Sequence, residues 1–231
     1  MSKFELLDRG ARETILLIPG WATDHRIFGS LDLPFNYLLP VEYSPFNFAG
    51  DLLSAMKKNG LKKISALGWS MGAFVICECL KQCVGAVDGV ALVSARRAYE
   101  RPDNENIKLL LMKNRKGFLR KFYSDCFPAA ARDAYNRMKE GLLKDYCEGM
   151  ELGRLVEGLD YLSSRRIDPR SLEGVPVKFI HGREDRIAPM EEAEAIKDEL
   201  PQADFIVLDG EGHMPFLAKD FKRIFDEQGR P

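Results

Sequence analysis

Short apolar runs alternate with helix-like segments along much of the chain. Thr14–Ile18 is a compact apolar run closed by Pro19-Gly20, and it predicts a buried strand. Asn36–Tyr43 predicts a second strand, interrupted by Pro40, and Leu52–Lys58 a helix ending at Asn59-Gly60. Lys63–Leu67 reads as a strand, the segment from Met71 to about Cys83 as a helix, and Val87–Val93 as a strand. Pro176–Ile180 and Phe205–Leu208 add two more strands, with a helix over Met190–Leu200 between them and a helical tail over Phe216–Glu227. Strand and helix alternating in this order predict an α/β architecture, a mostly parallel sheet covered by helices on both faces.

One stretch departs from this rhythm. From about Tyr99 to Arg166 the pattern is helical and densely charged, with no convincing strand. It is expected to be an insertion, residues 99–166, in a single core formed by residues 1–98 and 167–231. A chain of 231 residues suits one well-packed domain.

Composition narrows the classes. The formal net charge of −1 gives no bulk basic field for nucleic acid. No apolar run has the length of a membrane span, and Met1-Ser2-Lys3-Phe4-Glu5 lacks the plan of a signal peptide, so a cytoplasmic location is expected. The five cysteines, Cys77, Cys79, Cys83, Cys126 and Cys147, are odd in number, and three fall in one predicted helix. They read as reduced thiols rather than a disulfide framework or a metal site.

The chemistry centres on Gly68-Trp69-Ser70-Met71-Gly72, a G-x-S-x-G motif that follows a predicted strand and opens a predicted helix. A sharp strand-to-helix turn lifts the serine hydroxyl above the sheet, and the flanking glycines let neighbouring backbone come close. A glycine-flanked serine also occurs in ordinary turns; the strand before and the helix after give this one its meaning. Serine needs a positioned imidazole to act as a nucleophile. Of His25, His181 and His213, only His213 lies in a loop after the last predicted strand, on the sheet edge where Ser70 sits. His181 ends its strand and reads as structural, and His25 as a structural or rim residue. Asp185 is the favoured carboxylate to orient His213, with Glu184 and Asp209 as competitors. Backbone N–H groups of Met71 and Trp21 are the expected oxyanion donors, Trp21 from the loop that begins at Pro19-Gly20. This chemistry needs neither metal nor organic cofactor.

With these residues the chain resembles the α/β-hydrolase superfamily throughout, and the α/β-hydrolase fold is the expectation. Within it, the chain resembles the pimeloyl-[acyl-carrier-protein] methyl ester esterases of biotin synthesis. The likeness is carried by Pro19-Gly20-Trp21, Leu67-Gly68-Trp69-Ser70-Met71-Gly72, Val175-Pro176-Val177, His181 to Pro189, and His213-Met214-Pro215-Phe216. Two departures concern the pocket edge: Pro19 stands where most relatives have histidine, and Tyr43-Ser44-Pro45-Phe46-Asn47 replaces a Gly-x-Gly-x-Ser run. The resemblance implies that residues 99–166 form a helical lid over Ser70. Lys108, Lys113, Arg115, Lys116, Arg120 and Lys121 fall in a stretch without acids, interleaved with Leu109, Leu110, Leu111, Met112, Phe118 and Leu119. One face would cover an acyl channel, and Lys113, Arg115, Lys116, Arg120 and Lys121 would hold an acidic acyl carrier protein. The alternative is a solvated face paired with acids such as Asp133 and Glu140. The expected function is thus a serine carboxylesterase acting on a carrier-linked methyl ester. The other readings are a general small-ester carboxylesterase and a binding protein that kept the fold without turnover.

Overall fold

The computed structural model describes residues 2–83 and 85–228. Seven strands form one sheet: β1 (Lys3–Leu7), β2 (Thr14–Ile18), β3 (Asn36–Glu42), β4 (Ile64–Trp69), β5 (Val87–Val93), β6 (Val177–Gly182) and β7 (Asp204–Leu208), in the order β1-β3-β2-β4-β5-β6-β7. All pairings are parallel except that of β1 with β3. β2 and β4 are buried along their whole length, as continuous apolar runs at the centre of a covered parallel sheet must be. Burying each Leu or Ile of these strands contributes about 1.5–3 kcal/mol.

The helices are α1 (Phe48–Lys58), α2 (Met71–Leu80), α3 (Arg101–Asp125), α4 (Arg132–Met138), α5 (Lys144–Gly149), α6 (Leu152–Ser164), α7 (Met190–Glu199) and α8 (Arg223–Gln228). α2 lies over β2, β4 and β5 with α1 beside it. Nearly every residue of α2 is buried, which explains a sequence that is apolar except at the half-buried Glu78. No helix among the described residues is long and apolar enough to cross a membrane.

Strand ends shift by one or two residues from the sequence reading, and larger differences occur elsewhere. β1 was not expected: it is an edge strand whose side chains alternate between exposed and half-buried, with Lys3 and Glu5 facing out. α1 starts four residues earlier, at Phe48, because Phe48 and Ala49 are buried. α2 stops at Leu80 rather than near Cys83. The tail is not one helix: a 3-10 turn over Pro215–Leu217 is separated from α8 by residues 218–222. An aromatic chain shapes that break, with Phe216 5.1 Å from Trp69 and 5.2 Å from Phe28, and Phe221 5.7 Å from Phe225.

Between β5 and β6 the chain is helical. α3 is broken at Asn114, whose φ of −158° and ψ of 78° lie outside the helical region. Its side-chain Oδ1 accepts the Gly117 N–H at 3.0 Å, capping the second half of the helix. A lone antiparallel bridge between Ala98 and Arg166 joins the two ends of this segment. All five cysteines are free and buried.

Candidate active site

Ser70 sits at the junction of β4 and α2 with φ +53° and ψ −113°, a left-handed conformation that is strained for a residue with a Cβ. The geometry follows from its neighbours. A Cβ added at Gly68 would lie 2.5 Å from the Gly72 carbonyl oxygen, and one at Gly72 would lie 2.2 Å from that of Ile18. Both positions therefore exclude any side chain. The Ser70 N–H donates to the Val93 carbonyl at 2.8 Å, tying the turn to β5.

Ser70 Oγ lies 2.9 Å from His213 Nε2, and His213 Nδ1 lies 2.7 Å from Asp185 Oδ2. An ionised carboxylate only accepts, so Nδ1 carries the proton and Nε2 is free to accept the serine hydroxyl. Asp185 is anchored by its other oxygen, which accepts the N–H groups of Ile187 at 2.8 Å and Ala188 at 2.9 Å. All three side chains are buried. Burial pushes the Asp185 carboxyl up, but His213 beside it and these hydrogen bonds outweigh the burial and hold it below the usual value.

The competing carboxylates lie elsewhere. Asp209 is exposed and pairs with Arg183. Glu184 is also exposed, and its N–H donates to the Glu211 carbonyl at 3.0 Å. His181 is fully buried and donates from Nε2 to the Ala188 carbonyl at 2.8 Å, buttressing the loop that carries Asp185. His25 takes no part in the chain of hydrogen bonds to Ser70 and begins a 3-10 turn.

A cavity of about 350 Å³ opens onto Ser70, walled by Trp21, Ile107, Phe118, Phe122, Leu159, Leu162 and Ile187. Tyr99 and Arg96 line the same cavity, with the Arg96 guanidinium 4.8 Å from the centre of the Tyr99 ring. Burial pushes the Tyr99 phenol up to about 12, so it stays protonated beside Ser70. Neither residue was singled out from the sequence, where they lie in an ordinary polar stretch after β5. Trp21, which lines that cavity, also lines with Met71 a second, more polar cavity of about 460 Å³. Among the described residues, neither of their backbone N–H groups donates to a backbone acceptor in a loop or turn.

The basic stretch on α3 is divided. Lys108 is buried and pairs with Glu105 at 2.7 Å and Asp160 at 2.5 Å. Lys116 lies 3.6 Å from Glu148, Arg115 donates to the Glu148 carbonyl, and Lys121 pairs with Asp125 at the cavity wall. Among the described residues, Lys113 and Arg120 form no ion pair within 4.0 Å. The acids that pair are therefore not Asp133 and Glu140. Leu111 and Leu119 are buried and Phe118 lines the cavity, but Leu109, Leu110 and Met112 are exposed rather than covering a channel.

The chain is 28% identical over 215 residues to a pimeloyl-[acyl-carrier protein] methyl ester esterase of Methylococcus capsulatus, covering 86% of this chain and 81% of that protein. Among solved structures, an esterase from Thermogutta terrifontis superposes with a TM-score of 0.82 at 18% identity, covering 98% of this chain and 91% of that one. A bromoperoxidase from Bacillus anthracis also reaches 0.82 at 18% identity, covering 97% and 93%. An esterase and a bromoperoxidase superpose equally well, so these structures speak for the fold alone. The model of the alpha/beta hydrolase family matches residues 5–227, nearly the whole chain, and together with the seven-stranded sheet it makes this protein a member of that family.

Proposed function

We propose that this protein is a serine carboxylic ester hydrolase, with Ser70 as nucleophile, His213 as general base and Asp185 as the group that orients the base. The observation that carries the reading is the unbroken hydrogen-bonded chain from Asp185 through His213 to Ser70 Oγ, opening onto an apolar cavity. As Oγ attacks the ester carbonyl carbon, His213 Nε2 takes its proton and the carbonyl oxygen becomes negative. The N–H groups of Trp21 and Met71 receive that oxygen, each worth about 10²–10³ in rate. The tetrahedral carbon then releases the alkoxide, which takes the proton from His213 and leaves as the alcohol. Water, deprotonated by His213, attacks the acyl-serine, and collapse of that intermediate returns the proton to Oγ and frees the acid. In this reading residues 99–166 act as a helical lid over the core.

Within this class we assign the substrate as the methyl ester of a pimeloyl-acyl carrier protein, in biotin biosynthesis. The name of the Methylococcus capsulatus relative supports it, and so does the surface of α3. There Leu109, Leu110 and Met112 are exposed beside Lys113, a face both apolar and basic, suited to an acidic carrier. A general small-ester carboxylesterase is the second reading, favoured by the local pairing of Lys116 and Lys121. Methanol release from pimeloyl-carrier methyl ester, measured beside hydrolysis of a p-nitrophenyl ester, separates the two. Turnover of the carrier ester, abolished by Ser70→Ala, is the expected result; turnover of the small ester alone selects the second reading.

A further inference from the structure

The loop after β2 is held from outside the sheet. Trp21 Nε1 donates to the Leu155 carbonyl of α6 at 2.8 Å, a buried hydrogen bond. One turn along α6, a Cβ on Gly158 would lie 2.6 Å from Trp21 Cδ1, so the indole rests directly on the α6 backbone. The rings of Phe122 and Phe118 on α3 meet the same indole edge-on, with centroids 5.1 and 6.4 Å away. The next residue, Ala22, has φ +62°, a strained value for a residue with a side chain, and its carbonyl accepts the Tyr123 hydroxyl. Tyr146 donates to Asp24 Oδ1 at 3.1 Å, and Arg26 pairs with Asp145 at 3.1 Å. Every partner in these contacts lies in the helical segment between β5 and β6. On its other side the loop abuts the nucleophile: a Cβ on Gly20 would lie 3.2 Å from that of Ser70.

From this we infer that Trp21 is a positioning residue that couples the helices of residues 99–166 to the oxyanion site. The indole, gripped by Leu155, Gly158 and Phe122, sets the direction of its own backbone N–H. Docking of those helices and completion of the oxyanion site are then one event. The inference rests on the hydrolase reading above. It adds that the helices do more than enclose substrate: they set the electrostatics of the chemical step. A donor turned away from the developing charge loses its effect on the transition state while leaving ester binding in the ground state nearly intact.

The test uses Trp21→Phe, which keeps an aromatic ring and removes the indole N–H, and Gly158→Ala, which pushes on Cδ1 from α6. Each single variant and the double variant are assayed with p-nitrophenyl butyrate. A trifluoromethyl ketone, which adds to the serine and presents an oxyanion, is titrated against each. The expected result is a fall in kcat of about 10–100-fold with KM within about twofold. Affinity for the ketone falls in proportion to kcat/KM, and the double variant is no worse than the poorer single one, because both changes act through one contact. Wild-type kcat in folded Trp21→Phe overturns the inference. So does a loss of kcat that follows a loss of thermal stability with ketone affinity unchanged. Should Gly158→Ala fail to fold, Trp21→Phe decides alone. If Ser70→Ala keeps full turnover, the hydrolase reading itself is wrong and the coupling falls with it; if Ser70→Ala is dead and Trp21→Phe is normal, only the coupling is wrong.

Discussion

The indole of Trp69 donates to the main-chain carbonyl of His213 at 2.6 Å, across a separation of 144 residues. Trp69 precedes the nucleophile, so one fully buried side chain pins the loop of the base to the strand of the serine. The His213 N–H is held as well, donating to the Cys126 carbonyl at 2.9 Å just beyond α3. Trp69→Phe keeps most of the ring packing but leaves a buried carbonyl unpaired, which costs about 1–3 kcal/mol. We expect a lower melting temperature together with a fall in kcat of about tenfold as the imidazole loses its fixed position. Chemical denaturation and steady-state kinetics on the same preparation check both effects.

Asp185→Asn isolates the orienting carboxylate. An asparagine keeps an oxygen to accept the Ile187 and Ala188 N–H groups, so the loop should hold its shape. Its amide can donate to His213 Nδ1 and so favours the wrong tautomer, with the proton on Nε2. The expected outcome is a loss of kcat of about 10³–10⁴-fold with little change in stability. A variant that retains near wild-type kcat would show that another group orients His213.

Acid should destabilise the protein through His181. Burial is the chief cause that holds this imidazole below its ordinary value of 6.5, with nearby His213 acting the same way and Asp185 and the Ala188 carbonyl opposing. The unfolded chain therefore takes up the proton first. The stabilisation is full above about pH 6.5 and is lost as the pH falls through the lower folded-state value. Melting temperature measured from pH 7.5 downward should drop below about pH 6.5, and His181→Gln should flatten that slope. An unchanged slope in the variant would assign the effect to other groups.

Much of this arrangement was legible in the sequence, for physical reasons that differ by residue. β2, β4 and β5 announce themselves because central parallel strands are apolar on both faces. Gly68 and Gly72 mark the turn because backbone fills the space their side chains would need. Its place after β6 sets Asp185 apart from Asp209 but not from the adjacent Glu184; the exposure of both competitors appeared with the fold. β1 escaped because an edge strand with Lys3 and Glu5 facing out has no buried run to reveal it. The partners of Trp21 Nε1 and Trp69 Nε1 lie 134 and 144 residues away, and both are main-chain carbonyls, which carry no sequence signal. For the same reason the pairing of Lys108 with Asp160, between two packed helices, could not be read from the charge run alone.

The surface of α3 separates the substrate readings. Lys113→Ser with Arg120→Ser removes two cations of that stretch that form no ion pair within 4.0 Å among the described residues, and leaves Arg115 on the Glu148 carbonyl. With a carrier-linked ester the expected effect is a rise in KM of about tenfold at low salt, shrinking as salt screens the charges. Activity on a p-nitrophenyl ester should stay unchanged. Equal effects on both substrates would remove the carrier from the account.

The most direct test of the central claim is hydrolysis of p-nitrophenyl butyrate by wild type and by Ser70→Ala, with folding checked by circular dichroism. The account predicts turnover in the wild type and a loss of at least about 10³-fold in the variant, because the hydroxyl 2.9 Å from His213 Nε2 is the attacking atom. Wild-type turnover in a folded Ser70→Ala protein would contradict it.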